Sequence, residues 1–101
     1  MEDRSLYNGL IRLHILHHAS ERPIFGQWMM DELGHHGYRL SAGTLYPILH
    51  GMERLGYLKS ALTRSDGRDR RLYRVTPLGR KALRIARRRV QELFGEMFEH
   101  R

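Results

Sequence analysis

Small and hydrogen-bonding residues cluster on one face of the segment that runs from residue 38 to residue 58. Its apolar residues recur at helical spacing and predict one buried stripe of Leu45, Ile48, Leu49, Met52 and Leu55. The opposite face then carries Gly43, Thr44, Tyr46, Pro47, His50 and Gly51. Hydroxyl groups can bond to phosphates or base edges, and glycine lets a backbone approach its partner closely. The segment therefore predicts a helix that contacts DNA.

The ends of this predicted helix carry their own signals. Ser41 is suited to accept a hydrogen bond from the first turn, and Gly56 tolerates the left-handed backbone that ends a helix. Pro47 removes the backbone hydrogen bond to the carbonyl of Gly43, so we expect a local irregularity there. The alternative interpretation is an amphipathic helix whose polar face meets only solvent.

Basic side chains lie beside this segment and in a second cluster downstream. Arg39 precedes the predicted helix and His50 lies one turn beyond Tyr46, so both are placed to reach phosphates. An Asp-Gly pair at 66–67 is a hairpin signal, because glycine accepts a positive φ, and four arginines flank it: Arg64, Arg68, Arg70 and Arg71. Such a hairpin can lie along the DNA backbone or enter the minor groove. A solvated turn, with Asp66 and Asp69 among the arginines, is the alternative.

The seven histidines could bind a metal ion. His14 lies three and four residues before His17 and His18, and His35 and His36 fall in a predicted turn. A four-coordinate site also needs a convergent third ligand and supporting partners, and no carboxylate stands out beside these residues in the sequence. We therefore predict no metal ligand, and keep a histidine-based metal-responsive regulator as an alternative.

The elements that must position these groups follow from periodicity. Helices are predicted over residues 5–19, from residue 23 to 33 with a turn at 34–37, and over 77–98, where Thr76 and Pro77 supply the cap and first position. Extended segments are predicted at 57–64 and 71–75. The order predicts a mainly α fold with a small β-hairpin (α+β): a winged helix-turn-helix at 1–76 and a C-terminal dimerisation helix at 77–101, in one structural unit.

The last predicted helix would be roughly 33 Å long, which is longer than is needed to cover the core of a winged-helix domain of this size. Part of its apolar stripe is therefore expected to pack on a second copy of the chain. An interface between the first and last helices would form the dimer contact and an effector pocket from Tyr7, Leu10, His14, Val90, Leu93, Phe94, Met97 and Phe98. The same residues could form interface core alone.

Composition narrows the function classes. The 101 residues include 18 Lys and Arg against 11 Asp and Glu, a net charge of +7, and the excess lies entirely in residues 57–101. That charge favours a polyanionic partner. Cysteine is absent, which excludes disulfides and cysteine-ligated zinc. No nucleophile-elbow or phosphate-loop pattern occurs, so neither an enzyme nor a cofactor is predicted. Without a membrane-length apolar run or a basic leader, a cytoplasmic protein with no membrane partner is expected.

Several motifs together resemble the PadR family of bacterial transcriptional regulators. The run at 41–49, Ser-Ala-Gly-Thr-Leu-Tyr-Pro-Ile-Leu, and the run at 52–58, Met-Glu-Arg-Leu-Gly-Tyr-Leu, are similar to the family signature. The segments at 23–26 and 71–76 resemble its second-helix entry and its second wing strand. The resemblance covers roughly residues 8–85 and includes the specific Leu-Tyr-Pro element.

The resemblance implies a dimeric winged helix-turn-helix repressor, often relieved by a small aromatic or drug-like effector. It implies double-stranded DNA with a pseudo-palindromic operator as partner, and DNA contacts from Ser41, Gly43, Thr44, Tyr46 and Pro47. The short length resembles the subgroup with a single dimerising C-terminal helix. The one tryptophan, Trp28, lies in the second predicted helix, so none is available on the last helix to sandwich a planar effector. A winged-helix module for protein or double-stranded RNA interaction is the alternative.

Overall fold

A computed structural model describes residues 3–100 of the chain. In chain order its elements are α1 (Arg4–Glu21), β1 (Ile24–Phe25), α2 (Gly26–His35), α3 (Ala42–Arg54), β2 (Leu58–Ser65), β3 (Arg68–Val75) and α4 (Pro77–Phe98). The three strands form one antiparallel sheet in the order β1-β3-β2. The predicted fold class, mainly α with a small β-hairpin in winged helix-turn-helix order, is confirmed.

The core lies between α1, α2, α3 and the base of the sheet. Its fully buried side chains include Ile11, Ile15, Met29, Leu33, Leu45, Leu49 and Tyr73. Leu6 and Leu10 of α1 are exposed. The apolar residues of α1 occupy two faces: one packs into the core, and the other carries these two leucines.

The start of the second helix differs from the prediction. Ile24 and Phe25 are extended and pair with Tyr73 and Leu72 of β3, so α2 begins only at Gly26. A strand of two residues carries no periodicity, and its partner is nearly fifty residues away in sequence. Trp28 of α2 is only partly buried, and the Arg22 guanidinium lies over it, 4.8 Å from the ring centroid.

Helix α3 spans the predicted segment and runs unbroken through Pro47. Ser41 is its N-cap residue, but the predicted capping hydrogen bond is absent. The Ser41 hydroxyl donates instead to Thr44 Oγ1 at 3.3 Å. Gly56 follows the helix with φ of +87°, as predicted. Leu55, assigned to the buried stripe, is 60% exposed because the helix has ended before it.

The hairpin, here called the wing, consists of β2 and β3. The strands pair from Leu58 opposite Val75 to Ser65 opposite Arg68. Only Asp66 and Gly67 form the turn, and both have positive φ, 52° and 75°, as a type I′ turn requires. The backbone twist of a type I′ turn matches the twist of the two strands, so strand pairing begins at the residues next to the turn. The predicted six-residue connection was therefore too long, and Arg68 and Arg70 belong to β3.

Helix α4 spans the predicted residues. Its N-cap, Thr76, accepts a hydrogen bond from the Gly79 N–H at 3.0 Å. The Arg80 guanidinium donates to the Ser20 carbonyl at 3.3 Å, which joins α4 to the end of α1. The outer part of the helix lies away from the core, since residues 87–94 and 96–98 are all exposed. Within residues 3–100, no helix is long and apolar enough to span a membrane.

Candidate nucleic-acid interface

The first half of α3 presents an exposed polar surface, here called the recognition face: Ser41, Gly43, Pro47 and His50. Arg39 is also exposed just before it. A methyl group at Gly43 would meet no atom closer than the Ser41 hydroxyl at 3.8 Å, so the backbone there is open to a partner. The surface has the shape and chemistry for approach to a DNA groove.

Thr44 connects this face to a basic residue that the sequence interpretation missed. Arg4, in the first turn of α1, places its Nη1 atom 3.4 Å from Thr44 Oγ1. The side chain is exposed and adds a positive charge beside the recognition face. No sequence signal links the two residues, because they are 40 positions apart and meet only through the packing of α1 on α3.

Tyr46 is less exposed than the residues of the recognition face. It is half-buried, and its ring lies directly against Gly26 at the start of α2. The same ring lines a groove of about 310 Å³ between α2 and the wing, here called the wing groove, with Phe25, Gly26, Gln27 and residues 68–71. Tyr46 therefore joins the recognition helix to the wing side of the domain.

The four wing arginines have different partners. Arg64 pairs with Asp69 at 3.2 Å, and the Arg70 guanidinium lies 4.3 Å from the ring centroid of Phe25. Arg71 donates to the Ser60 hydroxyl at 3.1 Å. The Arg68 side chain is exposed and makes no hydrogen bond or ion pair within the described part of the chain. It is the wing arginine most available for a phosphate.

A carboxylate fixes the wing to the recognition helix. Glu53, in the last turn of α3, accepts hydrogen bonds from the Ser60 backbone N–H at 3.0 Å and from the Ser60 hydroxyl at 2.8 Å. These hydrogen bonds lower the pKa of Glu53, and the nearby Arg71 charge lowers it further. The charged carboxylate thus holds α3 and β2 in one arrangement, so the recognition face and the wing are presented together.

A sequence profile of the transcriptional regulator PadR-like family matches residues 15–85 of this chain. The chain belongs to the PadR family. Transcriptional regulator Rv3488 of Mycobacterium tuberculosis is 50% identical over 94 residues, which cover 93% of this chain and 88% of that protein. Members of the family are DNA-binding transcriptional regulators, so the predicted resemblance is confirmed.

Solved structures show the same fold. A PadR-like transcription factor from Bacteroides fragilis matches with a TM-score of 0.81 at 22% identity, covering 96% of this chain and 94% of that one. The structure of smu.1704 from Streptococcus mutans matches with a TM-score of 0.77 at 28% identity, covering 85% and 80%. These similarities confirm the winged-helix architecture of this PadR-family regulator.

The residues predicted for dimerisation and an effector pocket fall into two groups within one chain. Tyr7 and His14 lie beside Tyr38, with ring centroids 6.4 and 5.4 Å away. The other predicted residues on α4 are exposed: Val90, Leu93, Phe94, Met97 and Phe98. Two of them, Val90 and Phe94, line a groove of about 490 Å³ with Leu13 and His17 of α1. Leu10 is also exposed.

The histidines of this PadR-family regulator do converge, contrary to the sequence interpretation. Ligand atoms of His14, His18 and His36 all lie within 4.8 Å of one another. The Glu32 carboxylate is 3.0 Å from His36 Nε2, so the inference that no carboxylate stands beside them was wrong. One turn of α1 aligns His14 with His18, but only the packing of α2 on α1 brings Glu32 and His36 to them. We call these three residues the histidine cluster.

Proposed function

We propose that this PadR-family regulator is a homodimeric repressor that places its two α3 helices in successive major grooves of a pseudo-palindromic operator. The observation that carries the proposal is the recognition face, which is exposed on α3. Hydrogen bonds from Ser60 to Glu53 hold the wing to the same helix. Two recognition helices related by a two-fold axis would read half-sites about one helical turn apart.

The proposed contacts divide by chemistry. Gly43, Thr44 and Pro47 approach base edges, and Ser41 and His50 bond to the flanking backbone. Arg4, Arg39 and Arg68 neutralise phosphates, because their exposed guanidinium groups surround the recognition face and the wing groove. Tyr46 contributes mainly by positioning, since Gly26 and the wing groove surround its ring.

The proposed dimer uses the outer part of α4. Leu93, Met97 and Phe98 are 50%, 59% and 65% exposed, and Leu6 of α1 is 67% exposed. An apolar stripe of this length would be costly to leave in water, and a two-fold contact with the same surface of a second copy would bury it. An effector that relieves repression would enter the groove between α1 and α4, where it can alter the spacing of the two recognition helices.

Gly43→Glu tests the proposal. The substitution places a negative charge on the recognition face without a clash inside the protein. Gly34→Glu, in the last turn of α2, is the matched control because a side chain there also enters open space. Fluorescence anisotropy with a duplex selected by the wild-type protein should show loss of specific binding for Gly43→Glu alone, with circular dichroism unchanged. Equal binding by both variants would overturn the assignment of the recognition face.

A further inference from the structure

We propose that the histidine cluster, His14, His18 and His36, binds a divalent transition cation of the zinc class, with Glu32 as the adjacent carboxylate. Imidazole nitrogen is a preferred ligand for zinc, nickel and copper. The cluster joins α1 to the turn after α2, outside the proposed DNA contacts.

The distances are close to those of a metal site. Zinc–nitrogen bonds of about 2.0–2.1 Å in a tetrahedral site place two nitrogens about 3.3 Å apart. The three histidine ligand atoms lie within 4.8 Å of one another, and the His14 and His36 ring centroids are 4.6 Å apart. Side-chain shifts of at most about 1.5 Å would therefore complete the coordination geometry.

His18 supplies an independent observation. Its Nε2 atom is shielded from solvent and has no hydrogen-bond partner among the described residues. The Glu32 carboxylate approaches it at 3.5 Å, outside hydrogen-bonding geometry. Burial lowers the pKa of both His18 and His14. A buried polar atom without a partner is rare, and a cation would satisfy it.

Glu32 supplies the negative charge that such a cation requires. One oxygen of its carboxylate lies 3.0 Å from His36 Nε2 and 3.5 Å from His18 Nε2. The hydrogen bond with His36 lowers the pKa of Glu32. The carboxylate charge would offset part of the cation's charge.

A second group, His17, His18 and Glu21, also has converging ligand atoms. It shares His18 with the histidine cluster, so a chain holds one cation or the other. The His17 and Glu21 side chains are 53% and 54% exposed, and both belong to α1. The histidine cluster is favoured because two of its three residues are partly buried and because it draws on two separate parts of the fold.

Cation binding would have a structural consequence. His36 lies in the turn between α2 and α3, so a metal bond to it would fix the start of the recognition helix relative to α1. The cation would then change DNA affinity, a consequence that rests on the proposed operator binding. Cation binding itself does not depend on that function.

Calorimetric titration of Zn²⁺ into the untagged, EDTA-stripped protein tests the site, because a polyhistidine tag would itself bind zinc. We expect one Zn²⁺ per chain and an affinity lowered at least about 10-fold by His36→Ala. His35→Ala is the matched control: this neighbouring histidine is 77% exposed and lies 3.7 Å from the other oxygen of Glu32. It should bind as the wild type does. Circular dichroism verifies that each variant is folded.

Three results would overturn the proposal. The first is absence of zinc binding by the wild type, and the second is equal affinities for the folded His36→Ala and His35→Ala variants. The third is loss of binding in His17→Ala with retention in His36→Ala, which would assign the cation to the exposed group on α1. Absorption spectra of the Co²⁺-loaded wild type should independently show nitrogen-rich tetrahedral coordination.

The consequence for DNA is tested separately by measuring the dissociation constant of the selected duplex with Zn²⁺ and with EDTA. We expect a change of at least about fivefold for the wild type and none for His36→Ala. An unchanged constant for a wild type that binds both zinc and DNA would overturn the coupling alone. Failure to bind any duplex specifically would contradict the proposed repressor and leave the calorimetric result standing.

Discussion

The ring of Tyr46 lies so close to Gly26 that a methyl group on Gly26 would overlap the ring. The contact joins the recognition helix to the first residue of α2, beside the wing groove. A side chain at position 26 would therefore displace the Tyr46 ring, although the backbone of Gly26 does not need a positive φ.

Gly26→Ala should therefore destabilise the protein by about 1 kcal/mol or more, because overpacking forces Tyr46 to move. Urea unfolding measures the change. Gly34→Ala is the matched control: its added methyl group meets nothing, and alanine favours the helix by about 0.5–1 kcal/mol. Equal stabilities for the two variants would contradict the proposed close contact.

The hydrogen bonds between Glu53 and Ser60 predict a pH-dependent contribution to stability. Because folding lowers the pKa of Glu53 below its ordinary value of 4.5, the contribution is fully present above that pH. It is lost as the pH falls through the lowered pKa. Urea midpoints should show the wild type more stable than Glu53→Gln at pH 7, and this difference should shrink as the pH falls below 4.5. In a Ser60→Ala background, Glu53→Gln should change the urea midpoint less than it does in the wild type. A difference between wild type and Glu53→Gln that does not vary with pH would contradict this account.

The Arg68 guanidinium has no partner within the described residues and is therefore predicted to contact a phosphate. Arg68→Ala should weaken binding to specific and random duplexes alike. The slope of the logarithm of the binding constant against the logarithm of the salt concentration should become less steep by about 0.9 per subunit. Arg88→Ala, which removes an exposed charge from α4, is the control and should leave the slope unchanged. Equal slopes for wild type and Arg68→Ala, measured by anisotropy over a range of salt concentrations, would exclude the contact.

The exposed end of α4 predicts a dimer. Sedimentation equilibrium should give the wild type twice the chain mass of 12.0 kDa. Leu93→Glu combined with Met97→Glu should give the monomer mass, because each chain would bury two negative charges against those of its partner. Leu62→Glu, at a leucine of the wing that is 63% exposed, should remain dimeric. A wild type of monomer mass at micromolar concentration would contradict the proposed assembly.

Much of the fold could be predicted because its signals are local. Thr76 and Pro77 mark the start of α4, Asp66 and Gly67 form the turn between β2 and β3, and Gly56 ends α3. Each feature depends on the backbone preferences of one or two residues. Element order then follows from periodicity, which is why the winged-helix class was evident from the sequence.

The features that were missed depend on contacts between distant segments. A two-residue strand has no period, so β1 is visible only beside β3. The contacts of Arg4 with Thr44 and of Tyr46 with Gly26 require the packing of helices that no local signal relates. For the same reason the sequence showed His14 and His18 in one face of α1 but did not bring His36 to them.

The central claim is sequence-specific DNA binding by a two-fold dimer, and the most direct measurement compares affinities for a selected operator and a scrambled duplex at one salt concentration. We predict an operator affinity at least about 1,000-fold higher, with a symmetric footprint whose half-sites are separated by about one helical turn. Equal affinities for the two duplexes would contradict the account.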